Sequence, residues 1–220
     1  MHELSMQDLW PPFGLRLRSG PLELSTIRDQ DIPGLVALAE AGIHDPAEMP
    51  FAFPWSTAVA AELRRGMTAH YWGDRAAFAP EGWNLEFVVR HEGRTVGVQA
   101  FQTRDYLVTR TGETGSWLVR SQQRRGIGTL MRQTVCGFVF DHLDAAEITS
   151  AGFVDNPASL AVSRKVGYVD NGTSREKRRP GELALSRRLV LRPESLVRSP
   201  YPLEVEGLAA FRRFIGLPER

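Results

Sequence analysis

Apolar and polar positions alternate along Leu22-Glu23-Leu24-Ser25-Thr26-Ile27, which predicts the first strand. Asp29 or Asp31 can then cap a helix through Leu35, Val36, Leu38 and Ala39, with Pro33 in its first turn and Gly42 ending it. After a loop rich in proline and aromatics, Ser56 or Thr57 caps a helix over 59–78, with Leu63, Met67, Tyr71 and Trp72 near one face. Residues 84–90 and 95–101 flank His91-Glu92-Gly93-Arg94 and read as a β-hairpin. A third antiparallel strand follows over 114–119. An amphipathic run over 130–140 predicts a helix that ends near 141–143. Residues 147–154 form the next strand and 157–166 the next helix, with Asn156 as cap and Pro157 in the first turn. Closing strands follow from Tyr168 and over 183–190, with 175–181 read as a solvated turn region. A short apolar helix at 208–215 ends the chain. Antiparallel strands followed by helix crossovers predict an α/β three-layer or α+β sheet rather than a barrel.

The pattern divides the chain into an extension (1–20), one domain (21–192) and a helical tail (193–220) packed on the domain or on a partner chain. Prolines around Trp10-Pro11-Pro12-Phe13 resist helix in the extension. A chain of 220 residues can bury a sizeable core. Charged residues make up 24% with a formal net charge of +1, which argues against a dedicated nucleic-acid binder. Cys136 is the only cysteine, so no intrachain disulfide forms and a reducing compartment fits. Without a signal-peptide core or an apolar run near 18 residues, the expectation is a soluble cytoplasmic protein that does not span a membrane.

Chemistry concentrates at Gln123-Arg124-Arg125-Gly126-Ile127-Gly128-Thr129, between a strand and a helix. The first turn of a helix presents unpaired N–H groups and partial positive charge. Glycines there let a diphosphate approach, and Arg124 and Arg125 add full charge at the rim. The dinucleotide fingerprint is excluded because Met131 stands where its third glycine belongs, and no P-loop string occurs. What remains, Gln/Arg-x-x-Gly-x-Gly/Ala, resembles the acyl-CoA-binding motif of the GNAT superfamily of N-acyltransferases. Asn156-Pro157-Ala158-Ser159, running on to Gly167-Tyr168, resembles that superfamily's segment after its fifth strand. It begins 28 residues after Gly128 (156 − 128), room for one helix and one strand.

The resemblance covers roughly residues 22–191 and implies a GNAT fold: a mixed, mostly antiparallel sheet of about seven strands, split between the fourth and fifth and flanked by helices. It implies that coenzyme A is held by Arg124, Arg125, Gly126, Ile127, Gly128 and Thr129, by main-chain groups of Trp117, Leu118 and Val119, and by Asn156 and Ser159. Glu113-Thr114-Gly115-Ser116-Trp117-Leu118 looks like a strand of the ribosomal-protein-alanine N-acetyltransferases (the RimJ/RimL-type branch), which makes Glu113 a candidate base; a solvated strand-end glutamate is the plainer alternative. Many members place a tyrosine where Ser163 stands, so Ser163 is the candidate partner of the leaving thiol, or a helix serine with no role. Asn156 can bind pantetheine, cap its helix, or both. Arg164 and Lys165 can reach a 3′-phosphate or stay solvated. His44 and Asp45 are too few for a metal site, and none is expected.

The implied function is transfer of an acyl group from acetyl-CoA or succinyl-CoA to a primary amine by direct attack in a ternary complex. Succinyl enters because His-Asp-Pro…Met-Pro-Phe…Pro-Trp looks like a narrower branch with members that take succinyl-CoA. The acceptor stays open among a protein N-terminus, a lysine and a small molecule. A non-catalytic acyl-CoA-binding regulatory domain is the alternative, and a nucleic-acid module using residues 175–179 a weaker one. Family habit and the apolar tail suggest a homodimer.

Overall fold

The computed structural model describes residues 3–218; the outermost residues of the extension (1–2) and of the tail (219–220) lie outside the described residues. The elements are α1 (Met6–Leu9), β1 (Arg16–Ser19), β2 (Leu22–Thr26), α2 (Ile32–Glu40), α3 (Ala60–Ala76), β3 (Gly82–His91), β4 (Arg94–Arg104) and α4 (Tyr106–Thr109). They continue through β5 (Thr111–Leu118), α5 (Ile127–Leu143), β6 (Glu147–Phe153), α6 (Pro157–Val166), β7 (Val169–Arg179), β8 (Glu182–Leu191), β9 (Glu204–Glu206) and α7 (Leu208–Phe214). The strands form one sheet in the order β7-β8-β6-β5-β4-β3-β2-β1-β9, antiparallel throughout except for β5 beside β6.

Two apolar layers cover it. On one face α5 is buried on nearly all sides against Leu85, Phe87, Phe101 and Ile148. On the other, α2 and α3 pack Leu35, Leu63, Met67 and Tyr71 over Val88 and Val98.

The sheet has nine strands rather than about seven, and the additions lie at one edge. β1 was hidden by its arginines: Arg16 and Arg18 alternate with buried Leu17 and Ser19, and both reach Glu23 on β2 and Glu206 on β9. Cross-strand ion pairing makes a cationic strand acceptable where its sequence reads as solvated. The 175–179 run is likewise strand rather than turn. Arg178 pairs with Asp155 at 2.7 Å and stacks over Phe153, and only Pro180-Gly181 turns the chain.

Candidate active site

The parallel pair sets the site. β5 and β6 are in register only from Thr111 opposite Glu147 to Glu113 opposite Thr149, and beyond that they part. The other edge of β5 stays bound to β4 as far as Leu118. One end of β5 therefore offers backbone to a gap.

Alternation decides which groups face it. Trp117 turns its main-chain groups toward β4, and the Val119 N–H donates to the Val96 carbonyl at 2.9 Å while its carbonyl accepts from Gln122 N–H at 3.0 Å in the turn that follows. Ser116 and Leu118 face the gap instead. Of the expected Trp117, Leu118 and Val119, only Leu118 turns its main-chain groups to the gap, with Ser116 beside it. The Leu118 carbonyl is already taken by Gln123 Nε2 at 2.9 Å, which also holds the Ile43 carbonyl at 2.6 Å.

Two helix N-termini border the gap. Arg124 (φ 60°) and Gly126 (φ 83°) are both left-handed, which turns the chain sharply into α5. Glycine takes that conformation freely, whereas Arg124 is held in it at a cost of about 1–2 kcal/mol. The N–H groups of 125–128 meet no protein acceptor among the described residues, whereas Thr129 N–H returns to the Gly126 carbonyl at 3.1 Å. Arg125 donates to Gln122 Oε1 at 2.8 Å; Arg124 and Arg125 are exposed. At α6, Asn156 Oδ1 accepts from Ser159 N–H at 3.1 Å, an N-cap bond. Ser159 lies beside Gly152 of β6, and Val162 packs close to Gly128, so the two helix starts sit together.

The two candidate catalytic residues fall on opposite faces of the sheet. Glu113 shares its face with Gly115 and Trp117, on the α2/α3 side, and is half-buried. Burial raises its carboxyl above the usual range, Arg188 pulls it down and Glu176 raises it again. Ser163 lies under α5, 1% exposed, accepting from Arg132 Nη1 at 2.7 Å and donating to the Ser159 carbonyl at 3.2 Å.

Sequence reasoning missed a second group on the Glu113 face. Glu86 of β3 stands in line with Ala100 and Gly115, whose small size leaves the sheet uncovered between Glu86 and the gap. His70 Nε2 meets Glu86 Oε1 at 3.1 Å and Asp74 Oδ2 at 3.5 Å. That hydrogen bond to Glu86 lifts His70 to about 9, so it is cationic at neutral pH, while burial pushes the Glu86 carboxyl up. The three donor groups lie within 4.8 Å of one another. Trp55 stands at 6.1 Å from Trp117 and forms a wall with Phe51. His44 is engaged by the Asp45 carbonyl and by Ser56 within its own loop.

A mixed sheet split beside its parallel pair, with two helix N-termini at the mouth, defines the class: a fold built to hold a nucleotide-linked thioester across a strand edge. The model of the Acetyltransferase (GNAT) domain matches residues 22–169, and the chain belongs to that family. It is therefore an acyl-CoA N-acyltransferase. Solved structures share the fold. Mycobacterium smegmatis RimJ in complex with CoA-disulfide superposes with TM-score 0.71 at 22% identity, covering 86% of this chain and 91% of RimJ. RimL, a ribosomal L7/L12 alpha-N-protein acetyltransferase in complex with coenzyme A, gives 0.65 at 18%, covering 80% and 97%. The spermidine N-acetyltransferase from Vibrio cholerae in complex with CoA and spermine gives 0.60 at 15%, covering 80% and 98%. No helix among the described residues is long and apolar enough to cross a membrane.

Proposed function

We propose that the chain transfers an acetyl or succinyl group from acyl-CoA to a primary amine by direct attack in a ternary complex. The observation that carries this reading is the one-sided opening of β5, with unpaired amides of α5 at its mouth. The amides of 125–128, with Arg124, Arg125 and the Thr129 side chain, take the diphosphate. Ser116 and Leu118 pair with the pantetheine amides as a neighbouring strand would, and Asn156 and Ser159 line the other side.

Glu113 serves as base. A carboxyl raised by burial holds a proton better than a solvated one and is the stronger acceptor from an ammonium group. Glu113, on the uncovered stretch of sheet, favours a cationic acceptor, whereas Glu86 of β3 and Asp74 of α3 are already engaged by His70. Succinyl needs a cation near the thioester, and Arg188, exposed and close enough to act on Glu113, is the group that suits it.

Calorimetric titration with CoA, followed by turnover with acetyl-, propionyl- and succinyl-CoA, tests the reading. Saturable CoA binding is expected, and Glu113→Gln should lower kcat by about 10²–10⁴-fold with CoA affinity retained. Failure of CoA to bind removes the reading. Acetyl turnover equal to or faster than succinyl removes the succinyl donor alone.

A further inference from the structure

Beneath the split lies a buried cation with no counter-charge. Arg132 of α5 is 4% exposed. Its Nη1 donates to Ser163 Oγ on α6 at 2.7 Å and its Nη2 to Ser116 Oγ on β5 at 3.0 Å. Its Nε is buried without a partner, and among the described residues no carboxylate lies within ion-pair distance. An arginine side chain stays protonated in proteins, and a buried charge without an opposite one is costly. The guanidinium spans the gap, from the open end of β5 to the helix that follows β6.

The serines set the direction of its effect. A hydroxyl that accepts from a guanidinium must point its own hydrogen elsewhere. Ser163 sends its hydrogen to the Ser159 carbonyl, whereas Ser116, half-exposed, has no acceptor for its hydrogen among the described residues.

We propose that Arg132 is a positioning residue for the leaving group: through Ser116 and Ser163 it directs positive potential and an O–H donor at the thioester sulfur. This rests on the acyl-transfer reading above. In the step, one ammonium proton of the acceptor passes to the Glu113 carboxylate, the freed lone pair forms the C–N bond, and the second proton on that nitrogen is lost to water as the amide forms. The C–S bond breaks with its electron pair on sulfur, and the thiolate held by Ser116 takes its proton from water after release. A phenol acid is then unnecessary, which accounts for a serine at position 163.

The other titratable groups near Arg132 cannot mimic the effect. Cys136 is pushed up to about 11 by burial, and Tyr168, bonded to Thr114 and Cys136, is raised well above the usual phenol range for the same reason. On the opposite face, Glu113, Glu176 and Arg188 also act on a bound thiolate, but alike in the wild type and in Arg132→Gln, so the comparison of the two isolates Arg132.

The experiment compares CoA with desulfo-CoA, by calorimetry between pH 7 and 10, on the wild type and on Arg132→Gln. In the wild type the bound thiol should titrate about one pH unit lower than free CoA, so the CoA-to-desulfo-CoA affinity ratio rises by about tenfold. Arg132→Gln should flatten that rise, keep desulfo-CoA affinity, and lower kcat about 10–100-fold with KM for acyl-CoA unchanged. Arg132→Lys should recover part of the rise. A rise that persists in Arg132→Gln overturns the proposal, as does an equal loss of affinity for both ligands. If Arg132→Gln fails to fold, the Ser116→Ala, Ser163→Ala double variant takes its place, and an undiminished rise there overturns the proposal equally. Failure of the wild type to bind desulfo-CoA would count against acyl transfer itself.

Discussion

His70 carries an opposed pair of pressures that fixes a pH window. Its hydrogen bond to Glu86 lifts the imidazole to about 9, against a desolvation effect that lowers it. A histidine whose pKa is raised on folding stabilises the fold fully below its unfolded value near 6.5, and loses that contribution as pH climbs toward 9. The upward push on Glu86 by burial works against stability above the ordinary carboxylate range. The His70 side chain is 52% exposed, so screening limits the pair to about 1 kcal/mol or less. Thermal melts of wild type and His70→Gln should differ most near pH 6 and converge by about pH 9. A difference that does not narrow with pH would remove the charged pair.

At the scale of elements, β5 depends on two glycines with opposite demands. A Cβ on Gly97 of β4 would run into the Trp117 carbonyl oxygen and the Leu118 Cα, which are backbone and cannot swing aside. Gly97→Ala should therefore cost about 1–3 kcal/mol or more, read as a fall in the denaturation midpoint. A Cβ on Gly115 meets nothing within 4 Å. Gly115→Val should fold with nearly the wild-type midpoint yet raise the acceptor KM, because it fills the uncovered stretch between Glu86 and the gap; an unchanged KM would place the acceptor elsewhere. These elements also show what a sequence discloses. α6 with its Asn156 cap and the glycine turn before α5 are local, set by residues a few positions apart, and both were legible. Which edge of β5 meets β4 is not local, so the facing of Trp117 and Val119 was not. Arg132 sits in a helix that is buried on nearly all sides, where a lone charge reads as the solvent face. His70, Asp74 and Glu86 come together only when α3 lies across β3.

Over the whole molecule, the chain ends complete the core that holds the site. β9 from the tail pairs with β1 from the extension, and Gly207 approaches Gly14 too closely for any side chain. Trp10 packs against Phe78 and Phe214, joining the extension, the end of α3 and the tail. Phe211, Ile215 and Leu217 belong to the same apolar cluster as α5. Arg212, 1% exposed, donates to the Pro218 and His142 carbonyls and pairs with Asp144 at 2.9 Å, tying the tail to the C-terminal end of α5. The other end of that helix presents the phosphate turn, so loosening the tail frees the far end of the element that carries the site. Phe211→Ala empties a fully buried position and should destabilise the fold by about 3–5 kcal/mol. Because the turn at Gly126 is built from local geometry, saturating CoA should restore part of the lost thermal midpoint by mass action. A melt in which Phe211→Ala lowers the midpoint by no more than a surface substitution would mean that the tail is an appendage, with the core complete without it.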